Sequence, residues 1–299
     1  MIINVGINRY RDMNIIDDIK LQYKIGGLAN RVIYWNVAAF LLSLIFFYQY
    51  REGVFQFPNW ICLSSNPNDV LYFPYTILTY AFLHSGFWHL FFNMTVLNFS
   101  SRLFLTFFTQ KQFLGLYLLS AVFAGLAFVL GYYFLNLNST LVGASAAVMA
   151  ILVATTTYQP LMEIRLLLVG NVKLWHLTAV ILLLDAMQFL SDNTGGHITH
   201  LAGAIFGVIY IKLLQNGTDL SNIVSTVIDF FVNLFQPSKK TPFKKVHVNP
   251  KKPFAKSTSK IVVKDKSQQQ IDEILDKISQ SGYDALTAEE KEFLFKAAK

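Results

Sequence analysis

Ser145 and His200 are the residues whose types suit covalent chemistry. Ser145 follows Gly143 and Ala144, and His200 sits in a later apolar run. A serine hydroxyl is a weak nucleophile at neutral pH, but an imidazole within about 3 Å can take its proton and return it to a leaving amine. Ser145 as nucleophile and His200 as base therefore point to acyl transfer. Such a reaction also needs donors for the developing oxyanion. His89 and Asn93 are four residues apart, so on a helix they share a face, and both can donate. The Ser145 backbone N–H, near the start of a helix, is a further donor.

Small residues supply a reason for these groups to meet. His200, Gly203 and Gly207 fall on one helical face, and Gly-x-x-x-Gly spacing lets another helix approach closely. Gly143, Ala146, Ala147 and Ala150 offer a matching set of small partners. His84 reads as structural, bonding the loop before the His89 helix. His197 reads either as lining the mouth of the site or as part of a wet loop. Asp185 reads as a satisfied polar or interfacial residue; a third catalytic carboxylate is a possible role for it but is not required for a Ser-His dyad. No metal is expected: His197 and His200 can chelate, but no third carboxylate or thiolate has suitable spacing.

The elements that must position these groups are apolar helices. The chain has 299 residues, 54% of them hydrophobic and 14% charged. Only eleven charged residues lie between Val32 and Gln215, and they cluster in short gaps. Long uncharged runs of this kind suit a bilayer. Six spans are expected, at 32–50, 88–108, 113–136, 141–158, 174–190 and 198–215. A fourth span starting at 141 would put Ser145 roughly 6 Å below its beginning at about 1.5 Å per residue. Arg102 and Lys111 lie in one gap and Arg165 and Lys173 in another, whereas the intervening gaps carry almost no cation. Basic gaps face the cytoplasm. Both termini are then cytoplasmic, and the second, fourth and sixth spans begin on the outer side with His89, Ser145 and His200.

Outside the spans, residues 1–31 are a polar leader with no apolar segment of signal-peptide type. Residues 216–236 form an amphipathic helix suited to a membrane surface, since Asp219 and Asp229 disfavour a full span. Residues 237–267 make a basic, disordered linker; ten lysines and four prolines fall within 237–266. Its lysines suit anionic lipid. Residues 268–299 regain helical patterning, with Gly282 as a stop and a Thr287–Glu290 capping box opening a second helix. The net charge of +7 comes mainly from this tail and does not call for nucleic-acid binding. The single cysteine, Cys62, excludes an internal disulfide.

These residues resemble the rhomboid family of intramembrane serine proteases. The stretch FPYTILTYAFLHSGFWHLFFNM, 73–94, is similar to the family's first loop and second span, with His84, His89 and Asn93 in its His-x4-His-x3-Asn pattern. Gly143-Ala144-Ser145-Ala146 resembles the Gly-x-Ser-x motif, and HITHLAGAIFG, 197–207, resembles the sixth span with His200 at the catalytic position. The similarity runs over about residues 30–215. It implies an all-α, polytopic membrane protein with a six-transmembrane-helix bundle at 32–215. It implies cleavage of single-pass membrane proteins near the outer face by a Ser-His dyad without a cofactor, and oxyanion roles for His89 and Asn93. The leader, linker and hairpin resemble those of bacterial members with a short C-terminal extension, which implies the bacterial inner membrane. Three positions depart from common family residues: Ala146 replaces glycine, Met149 replaces tyrosine, and Trp60 is followed by Ile61 instead of arginine. The alternative is an inactive rhomboid-like protein that holds membrane clients. Such relatives lack the serine or the histidine, and this chain keeps both. A small transporter would show an internal repeat or paired broken helices, and none is visible.

Overall fold

The structure, a computed structural model, describes residues 14–166, 169–188, 194–235 and 266–297. Residues 1–13 of the expected leader and 236–265, most of the basic linker, lie outside these. Two compact units divide at 239–240.

In the first unit, α1 (Ile15–Ile25) is capped by Asn14, whose side chain accepts from the Asp17 N–H. Gly26 ends it, and Gly27, at φ +72°, turns the chain into α2 (Gly27–Phe46). The first apolar helix thus starts at Gly27 and not near 32. Gln110 makes this earlier start possible by accepting from the Leu28 N–H at 2.7 Å, which satisfies a donor that the first helical turn leaves unpaired.

The loop that follows is structured. A small hairpin, β1 (Tyr48–Gln49) with β2 (Val54–Phe55), leads to β3 (Leu63–Ser64), α3 (Pro67–Tyr72), α4 (Thr76–Thr79) and a 3-10 turn at 80–82. Buried phenols tie this turn to the bundle. Tyr80 donates to the Ala121 carbonyl at 2.9 Å, and Tyr117 donates to that of Ala81 at 3.2 Å.

Five further apolar helices complete the expected set of six: α5 (Phe87–Phe104), α6 (Gln110–Leu135), α7 (Ser145–Tyr158), then after a hairpin α8 (Leu174–Gln188), and α9 (Thr194–Gln215). Strand β4 (Thr140–Leu141) pairs antiparallel with β3, and β5 (Glu163–Leu166) with β6 (Gly170–Lys173). The result is an all-α polytopic membrane bundle. Helices α2, α6 and α9 are long and apolar enough to cross a membrane by length and composition, and α7 and α8 are shorter apolar helices.

Two boundaries differ from expectation in ways that affect the site. Residues 140–141 are strand and Gly143 has φ +135°, so α7 begins at Ser145 itself instead of several residues before it. Helix α9 begins at Thr194, so His197 lies within a helix and not in a loop.

Helix α7 is the hub, with Ala146, Ala147, Val148 and the run from Ala150 to Thr155 all buried. Helix α9 packs directly on its backbone. A Cβ on Gly203 would collide with the Ala146 carbonyl oxygen, and one on Gly207 with that of Ala150. A similar approach joins α6 to α10 (Ser221–Phe235): a Cβ on Gly115 would stand 2.5 Å from Ser221 Cβ. Asp219 and Asn222 accept from Gln112 and Lys111 at 3.2 and 2.7 Å beside it. The remaining face of α10 exposes Ile223, Val227, Phe230, Phe231 and Leu234.

The second unit contains α11 (Lys266–Ser281) and α12 (Ala288–Ala297). Gly282, at φ +78°, ends α11, and its N–H bonds the Ile278 carbonyl. Thr287 and Glu290 exchange capping bonds at 2.7 and 3.3 Å. Lys277 reaches Glu290 at 2.8 Å, and Ile274 and Leu286 are buried.

The α7–α9 contact can be tested by alanine. Gly203→Ala is expected to lower the thermal unfolding midpoint in detergent, because overpacking against fixed backbone costs about 1–3 kcal/mol. Gly131→Ala in α6 meets only the Ile198 side chain, at 3.3 and 3.6 Å, and no backbone. It is expected to be neutral or stabilising by up to about 1 kcal/mol. Equal behaviour of the two variants would contradict this packing account.

Candidate active site

Ser145 opens α7 because the chain before it cannot be helical. Ser65 and Ser139 exchange bonds at 3.0 Å, extending the β3–β4 pairing. The Gly143 N–H then donates to the Tyr80 carbonyl at 3.0 Å. Gly143 is needed for two reasons. Its φ of +135° disfavours any side chain, and a Cβ there would stand 2.9 Å from the His89 ring. Ser145 therefore sits at a helix N-terminus, where backbone N–H groups are free to face an anion.

The α7–α9 packing brings His200 onto this serine. His200 Nε2 lies 2.7 Å from Ser145 Oγ. The other ring nitrogen, Nδ1, lies 2.6 Å from Asp185 Oδ1 on α8. Asp185 is thus more than a generic interfacial contact: it can hold the proton on Nδ1 and leave Nε2 as the acceptor facing the hydroxyl. The same carboxylate oxygen lies 2.8 Å from His197 Nδ1. His197 is buried within α9 and lines the cavity, so the wet-loop reading does not hold.

His89 and Asn93 sit on the facing side of α5. The Ser85 backbone N–H, which can only donate, points at His89 Nδ1 from 3.4 Å, and Ser85 Oγ lies 2.9 Å from the same atom. Nδ1 is therefore an acceptor and the ring proton belongs on Nε2, the edge beside Gly143 and Ser145. Asn93 gives one amide hydrogen to the His89 carbonyl at 2.8 Å and keeps a second. The two histidines beside Ser145 thus have opposite tautomers: His200 is arranged to accept at Nε2, and His89 to donate there.

Ser145, His200, Asp185, His197, His89 and Asn93 line one cavity of about 720 Å³, together with Phe55 and Phe57 of the first loop and residues 140–142. A smaller apolar pocket of about 240 Å³ adjoins Ser145 and His200, walled by Phe92, Val96, Val148, Met149 and Leu152. Met149 thus lines a pocket beside the histidine.

Gly203 and Gly207 act through packing alone. His84 is fully buried behind His89, and its ring packs edge-to-face on that ring at 5.1 Å between centroids. Burial, and secondarily the neighbouring His89, pushes its pKa down to about 3, only partly opposed by the Phe82 backbone. His84 is thus a neutral wall behind His89.

Sequence reasoning missed Ser85, and it singled out Asp185, one of few charges in the apolar region, without its partners. Its distance in sequence from His200 hid the pairing. The same gap hid a possible metal ligand set: donor atoms of Asp185, His197 and His200 all lie within 4.8 Å of one another. The third ligand that spacing failed to show is therefore present.

Comparison with known proteins finds two matching families. Residues 73–216 match the rhomboid domain, and residues 262–299 match a family of unknown function, DUF6576. The presenilin-associated rhomboid-like proteins, mitochondrial, of Homo sapiens and Pongo abelii are each 31% identical over 159 residues. Those matches cover 50% of this chain and 40% of each relative, so the chain spans well under half the length of the curated relatives it matches. Residues 73–216 of the chain thus carry a rhomboid domain.

Proposed function

We propose that this protein is an intramembrane serine endopeptidase that cleaves single-pass transmembrane proteins near the outer membrane face. The observation that carries the reading is the 2.7 Å approach of His200 Nε2 to Ser145 Oγ at the start of a buried helix. The rhomboid domain match supports it, and so does the cavity that opens onto that pair.

In this mechanism His200 Nε2 takes the hydroxyl proton as Ser145 Oγ attacks the scissile carbonyl. The negative charge that develops on the carbonyl oxygen is met by His89 Nε2–H, Asn93 Nδ2–H and the Ser145 N–H. Asp185 accepts from Nδ1–H and stabilises the imidazolium. His200 then protonates the leaving amine, the peptide C–N bond breaks, and water releases the acyl group by the same relay run in the opposite sense. The relay uses one imidazole and one carboxylate, and His197 stands outside it. The adjoining apolar pocket is suited to a small substrate side chain. The loop charges support cytoplasmic termini, the resemblance of the tail to bacterial members supports a bacterial membrane, and the tail lysines are suited to anionic lipid.

Purified protein is expected to cleave a test transmembrane substrate, and Ser145→Ala to leave none of that cleavage. His200→Ala should slow it by about 10²–10⁴-fold, the usual contribution of a positioned general base. Continued cleavage by the Ser145→Ala protein would remove the proposed nucleophile. A fully folded parent that binds but never cuts would favour a client-holding role.

Asp185→Asn is expected to keep substrate KM near the parent value while kcat falls at least about tenfold, because the change acts on the base. Labelling of Ser145 by a fluorophosphonate should slow in parallel. An unchanged kcat would leave the dyad sufficient without its carboxylate.

A further inference from the structure

We infer that Asp185, His197 and His200 form a binding site for a divalent transition-metal ion of the zinc type, and that the ion switches the serine relay off. The binding half rests on the cluster's geometry alone. The inhibitory half rests on the proposed protease reading.

Three observations lead to the site. First, one imidazole and one carboxylate suffice for a serine relay, yet a second imidazole is delivered to the same oxygen. His197 Nδ1 and His200 Nδ1 lie 2.8 and 2.6 Å from Asp185 Oδ1. Two imidazoles and a carboxylate are a ligand set that zinc takes when it keeps an open fourth position. Second, the donors are close to the spacing required. A tetrahedral ion with bonds of about 2.0–2.2 Å needs its ligand atoms about 3.3 Å apart. The three donors already lie within 4.8 Å of one another, so small side-chain rotations open the cluster around an ion. His197 and His200 are one turn apart on α9, so the helix presents them as a pair. Third, the site is reachable. All three residues line the 720 Å³ cavity, which gives a path for the ion and room for water at the open position.

The inhibition follows from imidazole chemistry. In the relay, Nδ1 of His200 carries the proton and Nε2 accepts from Ser145. A neutral imidazole bound to metal through Nδ1 must carry its proton on Nε2. That N–H then points at Ser145 Oγ, 2.7 Å away, and donates to the hydroxyl instead of accepting from it. Ser145 becomes the outer-shell acceptor that a metal-bound histidine normally has. At each ring the Nδ1–H bond breaks, an Nε2–H bond forms and cavity water carries the proton between the two nitrogens, so both imidazoles stay neutral and a chelator reverses the change. The ion also engages the Asp185 carboxylate that would stabilise the imidazolium.

The test uses the full-length protein in detergent with Zn2+ as the probe. Zn2+ at micromolar levels is expected to stop cleavage by the parent, and EDTA to restore it. His197→Ala, and His197→Gln as a second variant, each compared with its own metal-free cleavage rate, should need at least about tenfold more Zn2+ for the same fractional suppression, the loss that removing even an outer-shell partner brings. Thermal unfolding shows which variants are folded. Binding is measured separately on Ser145→Ala protein by competition with a chromogenic chelator and by the d–d absorption of bound Co2+. One ion per chain is expected, lost in Ser145→Ala/His197→Gln. Equal metal binding with and without His197 would overturn the site, even if the parent cleaves. Metal binding that depends on His197 in a protein that never cleaves would uphold the site and defeat the protease reading instead.

Discussion

The backbone contact between α7 and α9 is the constraint on which the site depends. Gly203 and Gly207 lie against the carbonyl oxygens of Ala146 and Ala150, with no room for a Cβ on either glycine. This closeness sets the depth and rotation of α9 relative to α7. His200 is one turn before Gly203, so the contact that excludes a methyl group also places an imidazole over Ser145. Lipid tails give helices no hydrophobic reason to associate, so van der Waals contact between small residues supplies it. The reactive pair thus stands at the end of the tightest seam in the bundle.

That seam was legible in the sequence, because Gly-x-x-x-Gly after a histidine and an alanine-rich helix after Gly-x-Ser are local patterns. The six helices were legible for the same reason: uncharged apolar runs separated by short charged gaps. Details resting on contacts between distant segments were not. Helix α7 begins at Ser145 because Leu63–Ser64, far earlier in the chain, pairs with Thr140–Leu141. Apolar β-branched and leucine residues at 140–142 fit helix or strand equally well by composition. The early start of α2 depends on the Gln110 side chain, and Asp185 meets His200 only through the α8–α9 packing. Ser85 was overlooked because a serine beside two histidines has no periodic signature. Its importance lies in a single N–H aimed at one ring nitrogen.

The site's chemistry is set by proton position more than by residue identity. Both histidines beside Ser145 are imidazoles with Nε2 near the serine, yet they are assigned opposite tasks. Asp185 can only accept, so it draws the proton of His200 to Nδ1. The Ser85 N–H can only donate, so it drives the proton of His89 to Nε2. Exchanging those two partners would invert both rings and leave no base and no oxyanion donor, with every heavy atom in place. His84 contributes by staying uncharged, since a buried neutral ring behind His89 puts no positive charge against it.

The same logic explains why α8 matters although it is lightly buried. Val180, Leu183, Leu184 and Met187 leave its outer face exposed, and it contributes little to the core beyond Leu174 and Thr178. Near its C-terminal end it carries one carboxylate, bonded to two histidines of α9. A charged group in an apolar setting is costly unless it is paired, so those bonds tether this end of α8 to the bundle as well as orienting His200. Proton placement on the base and the position of α8 are therefore linked through a single oxygen, Asp185 Oδ1. Any event that takes that oxygen away from His200 acts on both at once.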